Sequence, residues 1–331
     1  MTTAAASVPV VDVSGLASPD VEVRRRTGKE IRRIYEDLGF LYIAGHGVPQ
    51  AMIDGAFAAS RRFHALPLES KMALKINAAH RGYMGMATST IVTSSVAKVT
   101  RPNLSESLML LHELAPDDPD VLAGKPLQGP NQWPPELPEF RGEMLAYMAA
   151  LEALARRFTG AIALAFDQPE DWFAPHFHKP TTWLRLLHYP PQPPDDDAQF
   201  GSAPHTDYGF LTFLAQDSTG GLEVRGNDGA WIPAPPIPGT FVVNVADILM
   251  RWTDGILRST PHRVRNLSGK DRYSLPYFYD PSMDSVVERM PGLNADTAPR
   301  WSAVHFGEYV MERLDKNYAY RIKGNAGNGA P

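Results

Sequence analysis

The sequence predicts a mainly β protein with flanking helices, in which the strands form an antiparallel double sheet or jelly roll. After Trp172, short apolar runs recur between Pro, Gly and Asp residues, from TTWLRLLHY to RYSLPYFY. Strands at this density, with no helical periodicity between them, are typical of such double sheets. Before Trp172, apolar residues recur at helical spacing in separate segments, which predicts the flanking helices.

The N-terminal region alternates strands with helices. Residues 8–13 form a short apolar run that predicts a strand, and Pro9 favours an edge position because proline cannot donate a ladder hydrogen bond. Helical spacing follows over residues 19–38 and 50–66, with the apolar segment FLYIAGHGV between them as a second strand. We expect this region, about residues 1–115, to pack on the barrel.

The remaining chain supplies the barrel and two more helices. Residues 138–166 carry an apolar stripe at helical spacing, and residues 303–314 predict a last helix that packs back on the barrel. The jelly-roll core is expected over about residues 180–280. No clean linker divides the chain, so the sequence favours one domain over residues 1–331.

Residues 81–100 are rich in Gly, Ser and Thr and contain no acidic side chain. Such a segment is either a mobile loop over a site or a surface loop with weak strands. We favour the loop over a site.

Composition and charge restrict the possible function classes. The 331 residues are 44% hydrophobic, with a formal net charge of −5 and a pI near 6.1, so no basic surplus attracts nucleic acid or anionic membranes. The absence of cysteine excludes disulfides and cysteine-based metal sites. No signal peptide or transmembrane stretch is recognisable, which favours a cytoplasmic protein with a small-molecule partner and leaves its oligomeric state open.

Two histidines and an aspartate are candidate metal ligands. His205 and Asp207 are two residues apart, which on a strand places both side chains on one face. His262 lies 55 residues later on another predicted strand, where antiparallel pairing could bring it across. Two histidines and one carboxylate on one face of an octahedron leave positions open for a co-substrate and dioxygen, as non-haem Fe(II) chemistry requires.

An Arg-x-Ser pair follows this set. Arg272 and Ser274 alternate on a predicted strand and share one face. A buried Arg without an anion is costly, so the pair predicts a clamp for the distal end of a bound dicarboxylate. A second histidine group, His176, His178 and His188, has no carboxylate in register and is interpreted as non-metal.

With these motifs, nearly the whole chain resembles the isopenicillin N synthase-like, 2-oxoglutarate/Fe(II)-dependent dioxygenases. VPVVDVSGL and GFLYIAGHGVP resemble the N-terminal region of that family, and PHTDYG, TPHRV and RYSLPYF resemble its core. The resemblance implies a double-stranded β-helix, or cupin-like jelly roll. It also implies an oxidoreductase that uses Fe(II), 2-oxoglutarate and O2 to oxidise, most simply to hydroxylate, a small organic molecule with release of succinate and CO2.

The resemblance also implies roles for individual residues. The iron ligands would be His205, Asp207 and His262, and 2-oxoglutarate would be held by Arg272 and Ser274 with Tyr189 beside it. Leu187 stands where plant members commonly carry Asn, and Ala246 stands where many members have Gly before the turn aspartate, here Asp247. The candidate substrate residues are Arg185, Tyr83, Phe210, Leu222 and Phe278. Arg185 shares a strand face with Leu187 and Tyr189, so it either binds an anion near the iron or pairs with a neighbouring carboxylate.

Within the family, HTDYGFLTFLAQDSTGGLEVR and STPHRV most resemble the bacterial branch that includes ethylene-forming enzyme. Arg185 also matches an arginine in the co-substrate region of that enzyme. Ethylene formation there goes with an arginine substrate, whose guanidinium requires carboxylate partners. Residues 81–100 provide none, so hydroxylation is the expected reaction.

Four alternatives stay open. An oxidase of the isopenicillin N synthase type would close a ring without 2-oxoglutarate. The same oxidising chemistry could instead desaturate or epimerise the substrate. A catalytically silent module would use the pocket for binding alone, and a zinc protein could use the same ligands.

Overall fold

Two β-sheets form the centre of the fold in this computed structural model, which describes residues 7–193, 196, 198–318 and 321. In chain order the strands are β1 (Val10–Asp12), β2 (Phe40–Ala44), β3 (Gly82–Met84), β4 (Glu106–Leu111), β5 (Thr181–Tyr189), β6 (Ser202–His205), β7 (Leu211–Gln216), β8 (Leu222–Arg225), β9 (Trp231–Pro233), β10 (Phe241–Val245), β11 (His262–Val264), β12 (Arg272–Asp280), β13 (Val286–Val287) and β14 (Val304–His305). The larger sheet has the order β1-β2-β10-β7-β12-β5-β4-β3, the smaller sheet has the order β6-β11-β8-β9, and β13 pairs with β14. The predicted mainly β architecture with flanking helices is confirmed.

A layer of helices packs against the larger sheet. The helices are α1 (Val21–Asp37), α2 (Gln50–His64), α3 (Leu68–Ala73), α4 (Pro119–Leu122), α5 (Phe140–Ala165), α6 (Asp247–Trp252) and α7 (Phe306–Asn317). The long helix α5 contacts α1, α2 and β12. It passes α1 so closely that a Cβ at Gly28 would overlap the carbonyl oxygen of Ala161, so this crossing requires glycine. None of the described helices, including the 26-residue α5, has both the length and the apolar character to cross a bilayer.

The N-terminal region contributes both edges of the larger sheet. At one edge, β1 pairs in parallel with β2, which pairs antiparallel with β10. At the other edge, β3 pairs with β4, and β4 pairs with β5. Strands from the first 115 residues and from the predicted jelly-roll core therefore share one hydrogen-bonded sheet.

Several elements differ from their sequence prediction for physical reasons. The sequence does not predict a strand at β4. All six of its residues are buried, so its sequence lacks the alternation that marks a half-exposed strand. The second helix stops at His64, and a separate helix α3 follows Pro67, because proline cannot continue the preceding hydrogen-bond pattern. The last helix begins three residues later than predicted and extends to Asn317.

Candidate active site

The three predicted ligands meet where the two sheets face each other. His205 ends β6 and His262 begins β11, and the two residues are direct antiparallel partners. Their rings lie 4.3 Å apart between centroids. One ligand atom from each of His205, Asp207 and His262 lies within 4.8 Å of the others. This is the one group of three such side chains found among the described residues.

Asp207 reaches this site by a different route from the one predicted. The strand ends at His205, so Asp207 lies in the loop that follows instead of on the same strand face. Its Oδ2 accepts hydrogen bonds from Thr212 at 2.6 Å and from Asn244 at 2.8 Å. Its Oδ1 is left 3.7 Å from Nε2 of each histidine. Side chains from β7 and β10 therefore orient the carboxylate of Asp207, which lies in the loop after β6.

Hydrogen bonds also fix both imidazoles. Nδ1–H of His205 donates to the carbonyl of Ala203 at 2.8 Å, and Nδ1–H of His262 donates to that of Thr260 at 3.3 Å. A carbonyl can only accept, so Nδ1 carries the hydrogen, and in the neutral form of each ring Nε2 keeps its lone pair for a metal. Burial, and then the neighbouring His262, lowers the pKa of His205 to about 4. Two imidazole nitrogens with one carboxylate fit an octahedral Fe(II) that keeps open positions.

The environment of Asp207 also favours the ionised form of its carboxyl group. Burial alone would raise the pKa of this carboxyl, but the positive charge that the two imidazoles carry when protonated, together with the hydrogen bonds from Thr212 and Asn244, lowers it below its ordinary value; a bound cation would take the place of that charge. The donor set is therefore an ionised carboxylate and two nitrogen lone pairs.

Arg272 is a fully buried cation beside this site. Its Nε donates to the carbonyl of Gly220 at 2.5 Å, its Nη2 donates to Gln216 at 3.1 Å, and its guanidinium lies 4.8 Å from the centre of the Tyr189 ring. Among the described residues, its Nη1 has no hydrogen-bond partner and no carboxylate forms an ion pair with it. An unpaired buried guanidinium is costly, so this nitrogen fits a ligand carboxylate. Ser274, also buried, lies two residues further along β12 and therefore on the same face.

Two cavities meet at the ligand set. The inner cavity is lined by the clamp residues and by Tyr189, Leu187 and Leu222. The outer cavity is lined by residues 89–91, Trp183, Tyr208 and the inner face of α7. They share a wall formed by Asn103, Arg185, Ser202, His205, Asp207 and Phe278. Residues 89–91, which belong to the segment predicted to cover the site, therefore line the outer cavity.

Arg185 stands at the junction of the two cavities. Its Nε donates to the hydroxyl of Ser107 at 2.9 Å. Within the described part of the chain, no carboxylate forms an ion pair with it, so the neighbouring-carboxylate alternative is not what the fold provides. A cation on a cavity wall with one neutral partner is suited to an anionic or carbonyl-bearing ligand.

Two of the predicted substrate residues lie elsewhere. Tyr83 is on the opposite face of the larger sheet, where its hydroxyl donates to Glu106. Phe210 is fully buried against Phe173, Phe177 and Trp252. Neither lines the inner or the outer cavity. Leu222 lines the inner cavity, and Arg185 and Phe278 line both, so three of the five predicted substrate residues lie on these walls.

Asp280 is a cavity residue that sequence analysis missed. It lies at the end of β12 and lines the outer cavity. Its Oδ1 accepts the N–H of Phe210 at 2.7 Å, and it packs so tightly on Gly209 that a Cβ there would overlap the carboxyl. Burial raises the pKa of Asp280 to about 8. This carboxyl therefore favours its neutral form near pH 7.

Other supporting residues were also missed. Thr212, Gln216 and Asn244 are polar residues within otherwise apolar strand runs, and that pattern was the available signal. Gly220 contributes only its carbonyl oxygen, for which the sequence offers no signal.

Two family models match the chain. Residues 180–281, which include the ligand set and the clamp, match the 2OG-Fe(II) oxygenase superfamily. Residues 8–136 match the N-terminal model described as non-haem dioxygenase in morphine synthesis.

Curated relatives match over nearly their whole lengths. The 2-oxoglutarate-Fe(II) type oxidoreductase hxnY of Emericella nidulans is 34% identical over 94% of this chain and 90% of its own. Homoarginine-6-hydroxylase 2-ODD-C23 of Glycine max is 32% identical over 96% of this chain and 99% of its own.

The fold is also found among solved structures. The crystal structure of a full-length Neurospora crassa protein in complex with alpha-KG and thymine matches with a TM-score of 0.81 and 29% identity. The match covers 93% of this chain and 96% of that chain. Together with the family match, this likeness confirms the predicted jelly roll.

Proposed function

The chain belongs to the 2-oxoglutarate/Fe(II) oxygenase superfamily, and from this membership we propose that it hydroxylates a small organic molecule that carries an anionic group. When bound, Fe(II) supplies the dioxygen chemistry, in which 2-oxoglutarate is converted to succinate and CO2. The residues of the chain bind and orient the reactants and exclude water.

The metal ligands in this proposal are His205, Asp207 and His262. Their support is the fit of the donor set: two Nε2 lone pairs and one carboxylate oxygen face a common point. Three protein ligands leave the remaining octahedral positions to 2-oxoglutarate and dioxygen.

The distal carboxylate of 2-oxoglutarate is assigned to Arg272 and Ser274, with Tyr189 packed beneath the guanidinium. The observation that carries this assignment is the unpaired Nη1 of a fully buried Arg272. Arg272 lines the cavity that also contains all three ligands. A bound carboxylate would supply both the missing hydrogen-bond acceptor and the counter-charge.

The substrate is assigned to the outer cavity, with Arg185 as the group that binds its anion. Trp183, Phe278 and residues 89–91 provide apolar and small polar surface around that cation. Leu222 and Phe278 shape the inner part of the wall.

The metal and co-substrate assignments have a direct spectroscopic test. Anaerobic protein loaded with Fe(II) should develop the weak visible charge-transfer band of the chelate when 2-oxoglutarate is added. His205→Ala should abolish the band. If the parent protein shows no band, the proposed site is wrong.

The substrate assignment is tested with matched ligands. Succinate release should be stimulated by carboxylic acids from a panel of amino acids and aromatic acids more than by the corresponding methyl esters. Arg185→Gln should remove this preference while leaving the 2-oxoglutarate requirement near that of the parent. An equal rise in the 2-oxoglutarate requirement would instead place Arg185 on the co-substrate.

The branch of the family is part of the same proposal. HTDYGFLTFLAQDSTGGLEVR and STPHRV support a place near the bacterial branch that includes ethylene-forming enzyme. The carboxyl groups among the described residues of the outer cavity are Asp207, assigned to the metal, and Asp280, whose pKa favours the neutral form. We therefore expect no ethylene in the headspace when arginine and 2-oxoglutarate are supplied.

We also propose that residues 1–331 form one domain, with about residues 180–280 as its jelly-roll core. The sheet shared between strands of the first 115 residues and strands of the core supports this proposal. A single calorimetric unfolding transition is expected, whereas two separable transitions would contradict it.

A further inference from the structure

A buried charged cluster lies behind the clamp, on the face of the larger sheet opposite the inner cavity. Glu106 on β4 is its centre. One oxygen, Oε2, accepts hydrogen bonds from Nζ of Lys71 at 2.9 Å and from the hydroxyl of Tyr83, and the other, Oε1, lies 2.8 Å from Nδ1 of His188. Burial raises the pKa of Glu106, but the hydrogen bonds from His188, Tyr83 and Lys71 outweigh this effect and hold the pKa at about 2. Glu106 is therefore an ionised carboxylate.

His188 lies between two carboxylates. Its Nδ1 faces Glu106 and its Nε2 lies 3.0 Å from Oδ1 of Asp271. A neutral imidazole has one N–H and would present a lone pair to one of these anions, so only the imidazolium can donate to both. Burial alone would lower the pKa of His188, but the hydrogen bonds to Glu106 and Asp271 outweigh it and raise the pKa above its ordinary value of 6.5.

The other groups that face His188 leave this charge arrangement intact. From β12, the ring of Tyr273 stacks on the imidazole at 4.8 Å and 15°. From α2, the ring of His64 lies 5.5 Å away, and burial lowers the pKa of His64 to about 4, which keeps it neutral. Arg61 on α2 lies over Tyr273 rather than over His188. Lys71 balances one of the two carboxylates through its ion pair with Glu106.

The cluster joins the strands that carry the clamp. His188 lies on β5 between Leu187 and Tyr189, which line the inner cavity on the other face. Asp271 directly precedes Arg272, the first residue of β12. In the β5–β12 register, Arg272 is opposite Tyr189 and Ser274 is opposite Leu187. A bond from His188 to Asp271 therefore connects the two strands at the end where the clamp begins.

We propose that His188 is a positioning residue for the clamp: as an imidazolium between Glu106 and Asp271, it holds the start of β12 against β5 and β4 and so places Arg272 for 2-oxoglutarate. This inference rests on the proposed function, in which Arg272 binds the distal carboxylate. It goes further by making 2-oxoglutarate affinity dependent on the protonation of His188, on the face of the larger sheet opposite the inner cavity.

The direction of the pH effect follows from the raised pKa of His188. The imidazolium of His188 is fully present at a pH below its ordinary pKa, and it is lost as pH rises through the raised pKa of the folded protein. The carboxylates of 2-oxoglutarate titrate at about pH 3–4, far below this range. The dissociation constant of 2-oxoglutarate should therefore rise with pH, while kcat at saturating 2-oxoglutarate changes less.

The test measures the 2-oxoglutarate dissociation constant of anaerobic, Fe(II)-loaded protein from the charge-transfer band between about pH 6 and pH 9. At the low end of this range, His188→Gln should raise the constant about fivefold and remove its rise with pH, because a charge-assisted hydrogen bond to each carboxylate is lost. Iron content, measured in parallel, should not change.

Two further variants keep the test decisive. Asp271 has a side chain that is 58% exposed, so Asp271→Asn should fold and should move the midpoint of the rise to lower pH. His178→Gln is the matched control, because His178 faces Asp284 in an exposed pair at 3.6 Å and should retain the parent profile. An unchanged profile in both His188→Gln and Asp271→Asn would overturn the inference.

The outcome also separates this inference from the proposed function. If Arg272→Gln leaves the dissociation constant unchanged, the clamp assignment fails and this inference fails with it. If Arg272→Gln weakens binding while His188→Gln and Asp271→Asn follow the parent profile, only the role of His188 is refuted.

Discussion

Replacement of Arg272 should separate co-substrate binding from iron binding. Its guanidinium is held by Gly220, Gln216 and the ring of Tyr189, and none of these is a metal ligand. The unpaired Nη1 is the group left to meet a ligand carboxylate. Arg272→Gln removes the charge, and truncation of one partner in a buried charge pair costs about 3 kcal/mol. At about 1.4 kcal/mol per tenfold, the 2-oxoglutarate dissociation constant should rise about 100-fold.

Arg272→Lys is the graded comparison. Lysine keeps the charge but lacks the planar fork, so it cannot reproduce the hydrogen bonds to Gly220 and Gln216 while it also meets a carboxylate. An increase of about tenfold is expected, between those of the parent and the glutamine variant.

Anaerobic titration of the charge-transfer band gives the dissociation constant, and iron analysis of the same samples gives the metal content. Arg185→Gln is the control for loss of a cation from the inner cavity, which both arginines line. Equal loss of iron and 2-oxoglutarate in Arg272→Gln would refute the reasoning, because it would mean that Arg272 supports the metal site instead of the co-substrate.

Three further changes test the supporting structure. Asn244→Ala removes a hydrogen bond to Asp207 and should weaken Fe(II) affinity about tenfold, measured by equilibrium dialysis; unchanged affinity would show that Thr212 alone suffices. Gly209→Ala forces a Cβ into Asp280 and should lower the free energy of unfolding by about 2 kcal/mol, measured by thermal unfolding. Gly55→Ala, in open space within α2, is the control and should raise that free energy by about 0.5–1 kcal/mol. Equal effects of the two substitutions would contradict the predicted overlap with Asp280. Burial raises the pKa of Asp280 from its ordinary 3.8 to about 8, so metal-free parent protein should lose stability as pH rises across that range, and Asp280→Asn should not. Thermal melts at about pH 5 and pH 9 check the last prediction, and a parallel pH response in both proteins would oppose it.

The parts of the site that follow strand alternation could be predicted from the sequence. Arg272 and Ser274 share a face of β12, and Arg185 shares the cavity face of β5 with Tyr189, as the period of two requires. The pairing of His262 with His205 was also expected from antiparallel neighbours.

Other positions depended on information that local pattern does not contain. Asp207 lies beyond the end of β6, and the exact end of a strand is set by tertiary contacts such as those of Thr212 and Asn244. Tyr83 lies on the helix-covered face, opposite the cavity, because of the register of β3 on β4, which the local pattern of either strand does not contain. Alternation shows which residues share a face, but not which face turns towards the cavity.

The cluster behind the clamp shows the same limit. In the local sequence His188 has no carboxylate in register, because Glu106 and Asp271 lie about 80 residues away on either side along the chain. They become neighbours only through the β4–β5 and β5–β12 pairings. Sequence-local reasoning excluded a metal role there, and the structure supplies charge partners instead.

The position of the ligand set has a mechanical consequence. His205 and His262 belong to the smaller sheet, whereas Asp207 is fastened by Thr212 and Asn244 to the larger one. An ion held by all three side chains is therefore a cross-link between the two halves of the sandwich. Iron loading should slow the separation of the sheets, with amide exchange in β6 and β11 reporting it, so iron supply would govern the lifetime of the folded protein as well as its chemistry.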